Sequence, residues 1–354
     1  MTAEDRMSAV AAFGFRPRQA RFLVLVMRHA GVCLLRQYSV FAGIVHGQKT
    51  RAFFHKLVSR RYASAYACRH NRGRLYHVHH FGLYRAIDEP NSAYRRPVPA
   101  GRVAERLMVL DTVLANPELD WFATAAEKVA YFTHAPCSVP VAKLPRLTGS
   151  AGPAQADNAF PDRRPIGIGA ADGRAVFVYL VLPTARDDFR AFLRRHAALF
   201  QALPSWTLRL VFPRAIAHTY AGLQAVVHDE LETPLHPHTV EELKWYFEQL
   251  RALPNPSLRP IDERFMRAAD AFERPRFYAL YRRWLKEGDH ALESVSSRVI
   301  SDALAAGAGR VESLVLPHRY DHLSPLATRS CSQCDPMSTA QPETTAATLA
   351  PLHP

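Results

Sequence analysis

Residues 6–87 contain no aspartate or glutamate, although they hold fifteen arginines and lysines. Residues 1–5 carry a formal charge of -2 and residues 88–354 sum to zero, so the chain's net +13 originates in that one stretch. This excludes a uniformly basic protein. The pattern is a localised positive field beside a balanced remainder. Such a field is what a polyanion-binding surface requires, because neutralising phosphates and releasing their counterions supplies most non-specific affinity for nucleic acid.

Other absences narrow the chemistry. No run of 18 apolar residues occurs, and the amino terminus opens with acids, so neither a membrane span nor a secretory signal is predicted. The five cysteines, Cys33, Cys68, Cys137, Cys331 and Cys334, are scattered and odd in number, as expected for a reducing cytoplasm. Cys331 and Cys334 form a CxxC pair, but it stands alone in a Ser/Thr/Ala/Pro-rich tail over 328–354 whose composition predicts disorder. No phosphate-binding loop ending in Gly-Lys-Ser/Thr, no serine elbow and no HExxH is present, and Gly167-Ile168-Gly169 lacks the rest of a nucleotide fingerprint. The sequence therefore predicts no cofactor, no metal and no catalytic residue.

Periodicity sorts the basic stretch into elements. Residues 18–29 read as a helix with an apolar band of Phe22, Leu23, Leu25, Val26 and Met27, and Gly31 just beyond it is a stop signal. A second helix is predicted over 34–44 from the spacing of Leu35, Tyr38 and Phe41. Gly47 breaks the chain, and Gln48 or Thr50 opens a third helix to about Arg61, with Phe53, Phe54, Leu57 and Val58 as its buried stripe. Lys49, Arg51, His55, Lys56, Ser59 and Arg60 lie between those apolar positions. Residues 62–69 alternate as a strand, Asn71-Arg72-Gly73-Arg74 is a turn, and 75–79 return as a second strand.

Helix, short helix, basic helix and arginine-tipped hairpin over 1–90 resemble a winged helix-turn-helix DNA-binding domain. The resemblance implies that the third helix enters the major groove. Gln48, Lys49, Arg51 and His55 would then read base edges, where bidentate arginine to guanine is the commonest specific contact. Lys56, Arg60 and Arg61 would touch phosphate, as would Arg69, Arg72 and Arg74 at the hairpin. His77, His79 and His80 cluster in sequence with His70 and Cys68, a set able to bind zinc. Strand alternation puts His77 and His79 on one face and His80 on the other, so solvated or phosphate-facing histidines are the expectation. Their protonation would tighten DNA binding as pH falls.

Beyond a polar connection at 88–97, helices are predicted at 102–114 and 123–132, the first with Val103, Leu107, Leu110 and Leu114 opposite Glu105, Arg106 and Asp111. These would close the winged helix or carry a dimer contact. A small polar linker spans 149–158. Strands at 164–168, 175–182 and 206–212 alternate with helices from Thr184 to 203 and over 215–227, followed by helices at 240–247, 261–271 and 276–300 and a strand at 311–316. The expected fold class is α+β, an N-terminal winged helix-turn-helix (1–90) and a helical connector (98–145), then a small α/β domain with C-terminal helices (160–320).

The α/β part somewhat resembles a restriction-nuclease-type fold, whose chemistry needs an acid and an acid-x-lysine to hold Mg²⁺. Asp162 and Asp172 are present, but 175–182 hold neither acid nor lysine, which implies an inactive scaffold. Tyr278 and Tyr281 share a basic helix with Arg274, Arg276, Arg282 and Arg283 but lack the phosphate clamp of a recombinase or the histidine triad of a relaxase. They are expected to be core aromatics beside a solvated arginine face. The whole arrangement also resembles replication-relaxation-type DNA-binding proteins of plasmids and integrative elements. The leading expectation is a non-enzymatic, sequence-specific regulator of transcription that binds double-stranded DNA as a homodimer, in the cytoplasm and at the nucleoid. Residues 160–320 would dimerise or contact a protein partner. The alternatives are a non-catalytic replication or DNA-processing accessory factor and, ranked last, a nuclease or recombinase.

Overall fold

Thr2 and Asp5 cap the first helix reciprocally: Thr2 Oγ1 accepts from the Asp5 amide at 3.1 Å and the Asp5 carboxylate accepts from the Thr2 amide at 2.9 Å. This helix, α1 (Ala3–Ala11), was not expected from periodicity. A computed structural model describes residues 1–68, 73–146, 159–162, 164–182, 186–253 and 262–320. The hairpin tip with Arg69, His70 and Arg72, the linker at 149–158, the helix cap at Thr184 and the tail with Cys331 and Cys334 lie outside the described residues.

Proline pre-sets the start of α2 (Pro17–His29), and the helix stops where Gly31 turns left-handed at φ +70°. A Cβ at Gly31 would stand 2.4 Å from the Tyr94 carbonyl oxygen, so only glycine fits. Then come β1 (Val32–Leu34), α3 (Leu35–Ala42), α4 (Gln48–Ser59), β2 (Ala63–Ala67), β3 (Arg74–Val78) and α5 (Phe81–Ala86). The three strands form an antiparallel sheet in the order β1-β3-β2, with Val32 opposite His77 and Ala65 opposite Tyr76. Strand β1 was missed because three residues are too few to show alternation. Its pairing with β3, more than forty residues on, defines it.

α6 (Val103–Ala115) differs from expectation. In place of one apolar side it buries Val103, Leu107, Met108, Val109, Leu110, Asp111, Thr112 and Val113, so it is an internal helix. Its apolar residues join those of α2, α4 and β3 in one core that also takes Val178, Leu180, Val211 and Leu316 from the second sheet. Asp111, read as a surface acid, is buried and gripped by Arg36.

The second sheet is built from β4 (Leu119–Phe122), β5 (Ile166–Gly169), β6 (Ala175–Leu180), β7 (Trp206–Pro213) and β8 (Gly309–Leu316), in that order. β4, β5 and β6 are antiparallel neighbours, whereas β6, β7 and β8 run parallel. α7 (Ala125–Thr133) follows β4, and α8 (Arg186–Ala202) crosses from β6 to β7. β6 is buried along its whole length, and its residues alternate between two cores. Val178 and Leu180 face the core of α6, while Phe177, Tyr179 and Val181 face Phe189, Phe192 and Leu193 of α8.

Between β7 and β8 lie α9 (Tyr220–Val227), α10 (Pro237–Ala252), α11 (Glu263–Phe272), α12 (Pro275–Glu287), α13 (His290–Ser296) and α14 (Val299–Ala305). α10 to α13 share a third core around Phe247, Phe272 and Trp284. The single helix expected over 276–300 is three, because Gly288 adopts φ +65° and Ser297 is extended. The helix expected over 215–227 opens as a 3-10 turn at Arg214–Thr219. The architecture is mixed α+β.

Candidate nucleic-acid interface

Aromatic packing holds α4 in place. Phe53 lies 4.5 Å from the Tyr38 ring of α3, and Phe54 lies 4.3 Å from the Tyr76 ring of β3. Such close ring pairs supply both buried area and orientation. Thr50 is also buried, within 3.4 Å of the Ser39 hydroxyl. Phe53, Phe54, Leu57 and Thr50 therefore define the inner side. Val58, expected inside, is 38% exposed.

The opposite face carries Gln48, Lys49, Arg51 and His55, all exposed. Arg51 and His55 stand one turn apart on one side of the helix. Among the described residues none of these four side chains has a hydrogen bond or ion pair to the rest of the protein. The contrast with other arginines is informative. Arg6 and Arg28 reach Glu127, Arg28 also reaches Glu89, and Arg36 takes Asp111, so acids from outside the basic stretch neutralise its interior arginines. The charge that remains uncompensated is concentrated at the surface around α4.

The expected phosphate contacts divide. Arg60 and Arg61 are exposed at the end of α4, and Arg61 occupies the left-handed region at φ +55°. Lys56 instead donates to the Gly14 carbonyl and lies 4.9 Å from the centre of the Phe15 ring, so it ties α4 to the α1–α2 connection. Its pKa is lowered by burial first and then by Arg60 and Arg16. Arg16 therefore belongs to the same basic surface, a residue that periodicity did not single out. Arg18, also exposed, donates to the Ala42 carbonyl at 3.0 Å and joins the start of α2 to the end of α3. Val45, 91% exposed just before α4, is an apolar surface residue that only the structure reveals. Arg74 is exposed at the first position of β3, whereas Arg69 and Arg72 lie outside the described residues.

Of the histidines expected to be solvated or phosphate-facing, His77 is not, His79 and His80 are half-buried, and His70 lies outside the described residues. His77 is buried, its Nε2–H donates to the Tyr94 carbonyl at 3.1 Å, and burial pushes its pKa down to about 4. His79 bonds the Ser64 hydroxyl at 2.9 Å, and His80 Nδ1 accepts from the Leu83 amide to cap α5. All three take part in bonds that hold the fold, and the neutral His77 cannot contribute the expected tightening of DNA binding near pH 6.5. Among the described residues no three His, Cys, Asp or Glu side chains come together as a metal site.

Asp162 lies 3.9 Å from His196 on α8, whereas Asp172 bonds its own turn through the Arg174 amide at 3.1 Å. Tyr281 stacks on Trp284 in the third core. Among the described residues no helix is long and apolar enough to cross a membrane. Comparison with protein-family models, curated proteins and solved structures returns no match.

Proposed function

We propose that the chain is a sequence-specific double-stranded DNA-binding protein of the winged helix-turn-helix type. α4 is its recognition helix and the β2–β3 hairpin its wing. The observation that carries this reading is the exposed face of Gln48, Lys49, Arg51 and His55, held rigid from behind by Phe53 and Phe54 and without an internal partner among the described residues. Base-edge reading needs long donors on a fixed helix, and this face supplies them.

The element order supports the same reading. Helix α2, strand β1, helices α3 and α4, then strands β2 and β3 in the sheet order β1-β3-β2 are the parts of a winged helix in their expected sequence. Arg16, Arg60, Arg61 and Arg74 would lie along the phosphate backbone, with Arg69 and Arg72 at the wing. The chain acts as a regulator at the nucleoid, and two copies read a repeated or palindromic site.

Selection from a random duplex library with the purified protein tests the proposal. An enriched motif that is lost from the pool selected by Arg51→Ala supports it. A pool without any motif, retained only at low salt, removes the sequence-specific reading.

A further inference from the structure

A second basic surface lies across the second sheet from the core that holds α4, within residues 88–354, whose charges sum to zero. α8 and α12 each present one face to a shared cleft of about 490 Å³. On α8 the face is Ala191, Arg194, Arg195 and Ala198; on α12 it is Ala279, Arg282, Arg283 and Lys286. Both follow the i, i+3, i+4, i+7 spacing of one helix side, with small residues leaving room between paired arginines. The 141–146 segment closes the third side with Lys143 and Arg146.

The acids of this region do not balance the cleft. Among the described residues Glu287 is the one acid in its lining, and it pairs with Arg283 at 2.6 Å. Glu230 holds Arg194, and Asp229 and Glu230 hold Arg190 behind it. Lys143, Arg146, Arg195, Arg282 and Lys286 are left without an acid partner among the described residues. Arg146 Nε is moreover enclosed with no hydrogen-bond acceptor among them, although its Nη2 reaches the Val141 carbonyl at 3.1 Å. Five cations converging on one concavity repel each other unless an anion enters, and guanidinium pairs match phosphate oxygens by bidentate hydrogen bonding.

We propose that this cleft binds a ligand bearing two or more closely spaced phosphate groups. Its volume is that of a small-ligand site, which favours a free polyphosphate. Among the described residues no aromatic side chain lines it, which favours recognition through phosphate over stacking on a base. The site is separate from the α4 surface. α8 packs on the face of the second sheet that carries Phe177 and Tyr179, whereas the core of α2, α4 and α6 covers the face that carries Val178 and Leu180. The cleft therefore stands whether or not α4 reads DNA.

The test is titration calorimetry of the full chain with inorganic tripolyphosphate, repeated with a single-stranded oligonucleotide as competitor. The Arg195→Ala/Arg282→Ala double variant should weaken tripolyphosphate binding by about tenfold or more, the loss expected for charge-assisted hydrogen bonds. Arg282→Glu, at an exposed position, should do the same without touching the core. Arg51→Ala should bind tripolyphosphate as the wild type does, which separates this site from the DNA surface. Displacement of tripolyphosphate by the oligonucleotide, from the wild type and from Arg51→Ala alike, would identify a nucleic-acid backbone as the source of the phosphates. Absence of tripolyphosphate binding, or equal binding by wild type and both cleft variants, would overturn the proposal.

Discussion

Arg36 grips Asp111 through two parallel hydrogen bonds, of 2.8 and 2.7 Å, across the contact between α3 and α6. Asp111 also accepts from Gln37 Nε2 at 2.9 Å and from the Tyr320 hydroxyl, so one buried carboxylate joins α3, α6 and the residues after β8. Burial lowers the Arg36 pKa, and the Asp111 carboxylate together with Tyr320 more than restores it, so the net shift is upward. Removing one partner of a buried pair leaves the other charge uncompensated. Asp111→Ala should cost about 3–5 kcal/mol of unfolding free energy. Arg36→Met should cost less, because Gln37 and Tyr320 still donate to the carboxylate. Urea denaturation of both variants checks the order; a smaller loss for Asp111→Ala would contradict it.

Three buried histidines, His29, His77 and His196, should make the fold acid-labile; burial pushes His29 well down, with Arg28 and Lys128 adding to the shift. Burial holds both His77 and His196 at about 4, against an ordinary value of 6.5. His79 and Arg106 also disfavour a charged His77, while the Tyr94 carbonyl favours it. Around His196, Arg195 and Arg164 oppose the charge, while Asp162 and the Phe192 carbonyl support it. Because the unfolded chain binds these protons first, their contribution is intact above pH 6.5 and is lost as pH falls from 6.5 towards 4. His77 and His196 each contribute on the order of 3 kcal/mol over that window. Melting temperature should fall steeply between those limits, and His196→Phe should flatten the fall. A melting temperature independent of pH there would contradict the account.

Arg61 ends α4 in a conformation that favours glycine. Arg61→Gly should raise stability by about 1 kcal/mol or slightly less, since relief of the left-handed cost is partly offset by glycine's greater freedom when unfolded. The same change should weaken binding to every duplex, because it removes a surface cation next to α4, the proposed recognition helix. Thermal melts and binding to an unrelated duplex read the two effects separately. A lower melting temperature would show that the Arg61 side chain stabilises the helix end.

Local signals were legible where local physics decides the structure. The spacing of Phe53, Phe54 and Leu57 identified the inner side of α4, and Gly31 marked the stop after α2. Val58 escaped because an apolar residue at the edge of a stripe is assigned by its neighbours and not by its own chemistry. Asp111 looked like a surface acid until Arg36, 75 residues earlier in the chain, supplied its charge partner. β1 and β4 are three and four residues long, too short for alternation to speak, and their sheets define them. The Ala-x-x-Arg-Arg pattern occurs on both α8 and α12, but only the fold makes the two faces meet.

If α4 reads bases, Arg51→Ala and Arg60→Ala should differ in how DNA binding depends on sequence and on salt. On a selected site and an unrelated duplex, Arg51→Ala should lose about 1–3 kcal/mol of preference for the selected site, as expected for a bidentate base contact. Arg60→Ala should weaken both duplexes alike and lower the salt slope by about one unit. Equal small losses at both positions, with no change in preference, would contradict α4 as the reading helix.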